Sequence, residues 1–138
     1  MENAAMKMHP QIKVYGSLTY RDPKAAKEDA EAMTLVNQVK KRFPHLLFMH
    51  IKNEGKKTKA QADFDKAMGM LAGASDFVFL GTPPLLLEMK RKDNTLSTWQ
   101  PNQQMFLLKA QEQGCKVCVA LGWEAAMEAV EDWIKIKA

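Results

Sequence analysis

"SDFVFLGTPPLLLEMK", residues 75–90, reads as two apolar strands joined by a forced turn. Gly81 and the consecutive Pro83 and Pro84 interrupt any regular run, while "DFVFL" and "LLLEMK" suit a buried sheet. An antiparallel hairpin is predicted. Three charges stand in this otherwise apolar run: Asp76, Glu88 and Lys90. Glu88 and Lys90 share one face of their strand, with Met89 on the other. In a tight hairpin Asp76 lies opposite the end of the returning strand, which brings two carboxylates together. Such a pair repels unless one member is protonated or a cation sits between them. A hard divalent cation such as Mg²⁺ takes oxygen ligands, often one or two carboxylates with waters and a phosphate, and the Met89 carbonyl is a further candidate donor. An ammonium at Lys90 would then stabilise charge building on a phosphodiester undergoing hydrolysis and orient the attacking water. The plainer alternative is a Glu-x-Lys salt bridge at a strand end.

On either side of the hairpin the chain alternates helical and strand patterns. From Ala25 to Phe43, Ala32, Leu35, Val36, Val39 and Phe43 repeat at three-four spacing, and Pro44 ends the helix. Glu28 falls on the same stripe one turn earlier. It is either a favourable charge near a helix N-terminus or a third acidic ligand for a site beneath this helix. "LLFMHI" is a strand, followed by the loop "KNEGKKTK" and a short helix around Ala60–Met70, with Gly73 as its stop. After the hairpin, a helix is predicted from Pro101 to Gln113, capped by Gly114. "KVCVAL" is a strand and "GWEAAMEAVEDWIKIK" a final amphipathic helix. Residues 1–24 are an N-terminal arm or extra strands, and residues 25–138 form the main domain. The fold class is α/β, a mixed central sheet flanked by helices, with the hairpin and "VCVAL" strands buried on both faces.

Composition narrows the setting. The chain has 138 residues, 46% hydrophobic and 26% charged, enough for a genuine core. No apolar run approaches a membrane span, and the first residues lack the layout of a signal peptide, so a cytoplasmic location is expected. Cys115 and Cys118 lie three apart on a strand and point to opposite faces, which disfavours metal chelation. Net charge is +4, and lysine-rich clusters stand at residues 40–42, 56–59 and 90–92. The first is read as solvated surface. His45 and His50 have no partner motif, and His50 is read as a polar residue at the site's edge. Trp99 is read as an anchor against the protein body, with stacking on an unpaired base the alternative.

The string "HIKNEGKK…KAMGMLAGASDFVFL…LLLEMKRKDNTLS…Q…G" resembles the VRR-NUC family of the PD-(D/E)xK nuclease superfamily, over about residues 28–136. Glu28 matches the family's first-helix glutamate, and Asn53, Glu54 and Gly55 its loop after the first strand. Asp76 matches the "G-x-P-D" aspartate, with Ser75 in place of proline, and Glu88 and Lys90 match its (E/D)-x-K. The family glutamine corresponds to Gln103, with Gln100 and Gln104 as alternatives, because "STWQPNQQ" is longer than the usual "S-P-x-Q". The resemblance implies a restriction-endonuclease-like core in αβββαβ order. It also implies a deoxyribonuclease using Mg²⁺ or Mn²⁺ held by Asp76, Glu88, the Met89 carbonyl and Glu28, with Lys90 and Gln103 assisting. Lys56, Lys57, Lys59, Arg91 and Lys92, with Asn53 and Glu54, are the expected DNA contacts, made to phosphates rather than base edges. Small stand-alone members are similar to homodimers that cut four-way junctions, and a lone domain of this size points to a phage origin. The alternatives are a non-catalytic nucleic-acid-binding module of the same fold, or an α/β interaction domain with a structural ion cluster.

Overall fold

The hairpin organises the whole sheet. In the computed structural model, which describes residues 7–51, 58–69 and 74–137, β3 (Phe77–Phe79) pairs antiparallel with β4 (Leu85–Lys90) in the register Phe77↔Leu87, Val78↔Leu86, Phe79↔Leu85. Around it, in chain order, stand β1 (Lys13–Tyr15), α1 (Glu28–Arg42), β2 (Phe48–His50) and α2 (Lys59–Ala67) ahead of the hairpin. A 3₁₀ turn (Asn94–Leu96), α3 (Pro101–Glu112), β5 (Lys116–Leu121) and α4 (Trp123–Lys137) follow it. The sheet order is β1-β5-β4-β3-β2. β5 runs parallel to both β1 and β4, whereas β2 and β4 are each antiparallel to β3, so the sheet is mixed. The expected order from the first helix to the last is present. Among the described residues, the N-terminal segment contributes one strand, β1, at the far edge of the sheet.

Strand parity divides the core. Phe77, Phe79, Leu85, Leu87 and Met89 face a layer of α1 and α4, packing with Leu35, Val39, Val130 and Trp133. Leu86, Val117, Val119 and Leu121 face the other way, onto Leu107 of α3 and Ile12. All six residues of β4 are buried, as its central position requires. The turn is closed from the α4 side by the Trp133 indole, which donates to the Pro83 carbonyl at 2.7 Å. The two thiols part as expected: Cys118 lies in the α1/α4 core, where burial pushes its pKa up, and Cys115 packs on the α3 side.

Local chemistry explains the helix ends. α1 carries Glu28, Asp29 and Glu31 in its first turn and Lys40, Lys41 and Arg42 in its last, a pattern that complements the helix dipole. α2 is capped by the Thr58 hydroxyl, which accepts the Gln61 N–H at 3.1 Å. It ends earlier than the sequence pattern implied, because Gly69, in a left-handed conformation (φ +90°), terminates it after Met68; Gly73 lies outside the described residues. Gly122 turns β5 into α4 at φ +89°, and a Cβ there would sit 2.6 Å from Glu31 Oε2. That carboxylate accepts the Trp123 N–H at 2.8 Å, tying α1 to the start of α4. Among the described residues no helix is long and apolar enough to cross a membrane.

The two kinds of helix differ in what they contribute to stability. Leu87 is fully buried in the α1/α4 core, whereas α2 buries none of its residues and leaves Phe64 exposed. Leu87→Ala is expected to lower unfolding stability by about 2–5 kcal/mol, and Phe64→Ala to change it by no more than about 0.5 kcal/mol, as read from urea denaturation.

Candidate active site

One further step of the hairpin register sets Asp76 opposite Glu88. Asp76 stands just ahead of β3, and its Oδ2 accepts the Met89 N–H across the strands at 2.7 Å. Asp76, Glu88 and Lys90 share the parity of Leu86 and so face α3. Leu87 and Met89 occupy the side beneath α1.

Glu88 and Lys90 are each only 2% exposed. Burial of two ionisable groups at this depth demands compensation, and α3 supplies it. The Gln103 amide donates to Glu88 Oε2 at 3.2 Å through Nε2. Its Oε1 accepts from Lys90 Nζ at 3.0 Å and from the Gln100 N–H at 3.0 Å. Lys90 also donates to the Thr98 carbonyl at 2.7 Å, stands 3.6 Å from Glu88 Oε2, and lies 4.3 Å from the centre of the Trp99 ring. Glu88 Oε1 is buried and receives no hydrogen bond from an N–H or hydroxyl donor among the described residues, while the Glu88 carboxyl shares a hydrogen bond with Asp76. Of the three candidate glutamines, Gln103 is the one that reaches the carboxylate. Gln104 faces the N-terminal segment, accepting the His9 N–H and donating to the Lys7 carbonyl, both at 2.9 Å.

The electrostatics follow from this burial. Desolvation, aided by the neighbouring Asp76 charge, pushes the Glu88 carboxyl up to about 9, and Lys90 only partly opposes it. Asp76 is also raised by burial, against the Met89 N–H that favours its anion. The Glu88–Lys90 contact has the geometry of an ion pair, yet at neutral pH the raised Glu88 holds its proton. The contact is therefore an ammonium beside a neutral carboxyl. Glu28, the first residue of α1, comes from the opposite layer around the strand ends. The Ser97 hydroxyl donates to its Oε1 at 3.4 Å, and its own raised pKa reflects burial first, then the opposing charge of Lys90.

Among the described residues no three His, Cys, Asp or Glu side chains gather closely enough to hold a metal ion. The protein's share of any cation site is then two carboxylates and a main-chain carbonyl. That donor set fits Mg²⁺, which keeps several waters and one or two carboxylates, and the two acids that share a proton here are the pair such an ion would bridge in its place.

The basic residues fall into two groups. Lys59 is exposed at the start of α2, 3.7 Å from Asp63, and Lys92 is exposed over the Tyr20 ring. Arg91 instead turns inward: its Nε donates to the Ala26 carbonyl at 3.0 Å and its guanidinium to the Ala25 carbonyl, fixing the approach to Glu28. Asn53, Glu54, Lys56 and Lys57 lie outside the described residues. His50 stacks on Phe77 at the sheet edge, 4.4 Å between ring centres. Sequence reasoning missed Ser97 and the Thr98 carbonyl. A polar turn before Pro101 was the one available signal, and nothing in it marks a backbone oxygen as a lysine ligand.

A mixed five-stranded sheet with helices on both faces is a restriction-endonuclease-like fold of the VRR-NUC type. A solved structure described as a "VRR_NUC domain protein" shares it with a TM-score of 0.65 at 23% sequence identity, covering 81% of this chain and 91% of that one. No protein-family model and no curated protein matches the sequence.

The raised Glu88 pKa gives a stability test in the metal-free protein. An acid whose pKa is raised in the folded state stabilises it fully below the ordinary value of 4.5 and ceases to do so as pH rises toward about 9, where the folded form also ionises. The urea midpoint measured in a chelator should therefore fall across that window, and Glu88→Gln should flatten the decline.

Proposed function

We propose that the protein is a metal-dependent, structure-specific DNA endonuclease that hydrolyses phosphodiester bonds, resembling a Holliday-junction resolvase. The observation that carries the reading is a pair of carboxyls, that of the buried Glu88 and that of Asp76, set against each other and sharing a hydrogen bond, with the Lys90 ammonium 3.6 Å from Glu88. Two acids in contact repel unless a proton or a cation lies between them. Likeness of fold to a VRR_NUC domain protein supports the same reading.

In this reading Asp76, Glu88 and the Met89 carbonyl hold Mg²⁺ or Mn²⁺, with Glu28 at its margin. When bound, the ion lowers the pKa of a coordinated water and neutralises charge on the scissile phosphate. Lys90 directs its ammonium at the charge developing on the phosphate oxygens. Gln103 keeps Glu88 and Lys90 in one fixed arrangement by bonding to both. Exposed Lys59 and Lys92 contact DNA phosphates without reading sequence, so shape selects the substrate. Paired cuts in a four-way junction require two such sites, for which a twofold homodimer is the simplest arrangement.

The test is incubation of a four-way junction and of linear duplex with the protein and Mg²⁺ or Mn²⁺. Cleavage is expected to favour the junction and to stop with chelator. Asp76→Asn, Glu88→Gln and Lys90→Ala should each lower the rate by roughly 10²–10³-fold while gel-shift affinity for the junction survives. Light scattering is expected to give twice the chain mass. Binding without metal-dependent cutting would leave a non-catalytic module of the same fold.

A further inference from the structure

Lys90 needs a fixed position as well as a charge, and the geometry supplies an unexpected holder. A buried ammonium two residues from a carboxylate is drawn onto it. Here it stands 3.6 Å from Glu88 Oε2, with closer acceptors in the Thr98 carbonyl at 2.7 Å and Gln103 Oε1 at 3.0 Å. The Trp99 ring covers the ammonium at 4.3 Å. This indole sits on the α3-side core, and its N–H is buried with no acceptor among the described residues. A buried tryptophan ordinarily finds an acceptor for that hydrogen. Its own hydrogen bonding therefore does not explain the placement, whereas attraction between its face and a desolvated cation does.

We propose that Trp99 is a positioning residue for Lys90: its π face, with the adjoining Thr98 carbonyl, holds the ammonium off Glu88 and leaves that carboxylate open to a divalent cation. The inference rests on the nuclease reading above and extends it to a residue that does not touch the reacting atoms. Without the ring, Lys90 closes on Glu88 Oε2, pairing with the carboxylate that a cation would otherwise share and leaving the phosphate without its ammonium. An aromatic ring of another kind would retain much of the hold, and an aliphatic side chain of similar bulk would not.

The experiment compares the parent protein with Trp99→Phe and Trp99→Leu, measuring junction cleavage at saturating Mn²⁺ and Mn²⁺ affinity by titration calorimetry. The Leu variant is expected to lose at least 30-fold in kcat with KM for DNA within threefold, and to bind Mn²⁺ at least fivefold more weakly. The Phe variant should stay within fivefold of the parent in both. Because Trp99→Leu can fail to fold, a second series places mono-, di- and trifluorotryptophan at position 99 alone, which weakens the ring's π face at nearly constant shape. A stepwise fall in kcat along that series is expected. A flat series, equal losses in Phe and Leu, or a loss confined to KM would overturn the inference, the last by assigning the ring to DNA. A parent protein that neither binds Mn²⁺ nor cuts would bring down the nuclease reading and this inference together. An active parent with an unimpaired Leu variant brings down the inference alone.

Discussion

The depth at which Lys90 and Glu88 are buried governs the rest of the site. Both project from the central strand into a layer otherwise made of leucine, valine and aromatic side chains. Charge carried into such surroundings from water is costly unless it is met by partners. The meeting is unequal. Lys90 is satisfied by a backbone carbonyl, an amide oxygen and an aromatic face, whereas Glu88, bonded by the Gln103 amide, is also pressed against a second acid, Asp76. Two acids packed against each other in dry surroundings keep a proton between them, which is why the Glu88 carboxyl is held protonated.

The segment from Arg91 to Ser97 shows how a charged stretch near a site can serve as framework. Arg91 grips the Ala25 and Ala26 carbonyls, Asp93 Oδ2 accepts the Asp22 N–H at 2.9 Å, and the Asn94 amide donates to the Leu18 carbonyl at 2.8 Å. Asp93 also accepts from Thr95, and these bonds hold its carboxyl below the usual range. Together these contacts attach the segment between β1 and α1 to the end of β4 and so determine where Glu28 stands. The "KRKDN" run reads in sequence as a phosphate-facing loop, yet among its members only Lys92 points outward as that reading requires.

The site also joins two layers that the sheet separates. Gln103 belongs to α3 and Glu28 to α1, on opposite faces, and they meet the same strand end because the C-terminal ends of β2, β4 and β5 and the start of β3 share one edge of the sheet. Residues at such an edge can be approached from both layers and from solvent. That is where a long, charged ligand can reach groups whose own surroundings are dry.

The sequence by itself determined the hairpin, through Gly81 and the paired prolines, and the common face of Glu88 and Lys90, through the two-residue period of a strand. It also located α1, α3 and α4 to within a few residues, because apolar periodicity and terminating Pro or Gly are local signals. Tertiary structure alone decided which helix covers the acidic pair, which of three neighbouring glutamines reaches it, and that Arg91 turns inward. It likewise decided the roles of the Thr98 carbonyl and the Trp99 ring. Those outcomes depend on contacts between segments far apart in the chain, and a backbone oxygen or a loop side chain has no periodic pattern by which its partner can be read.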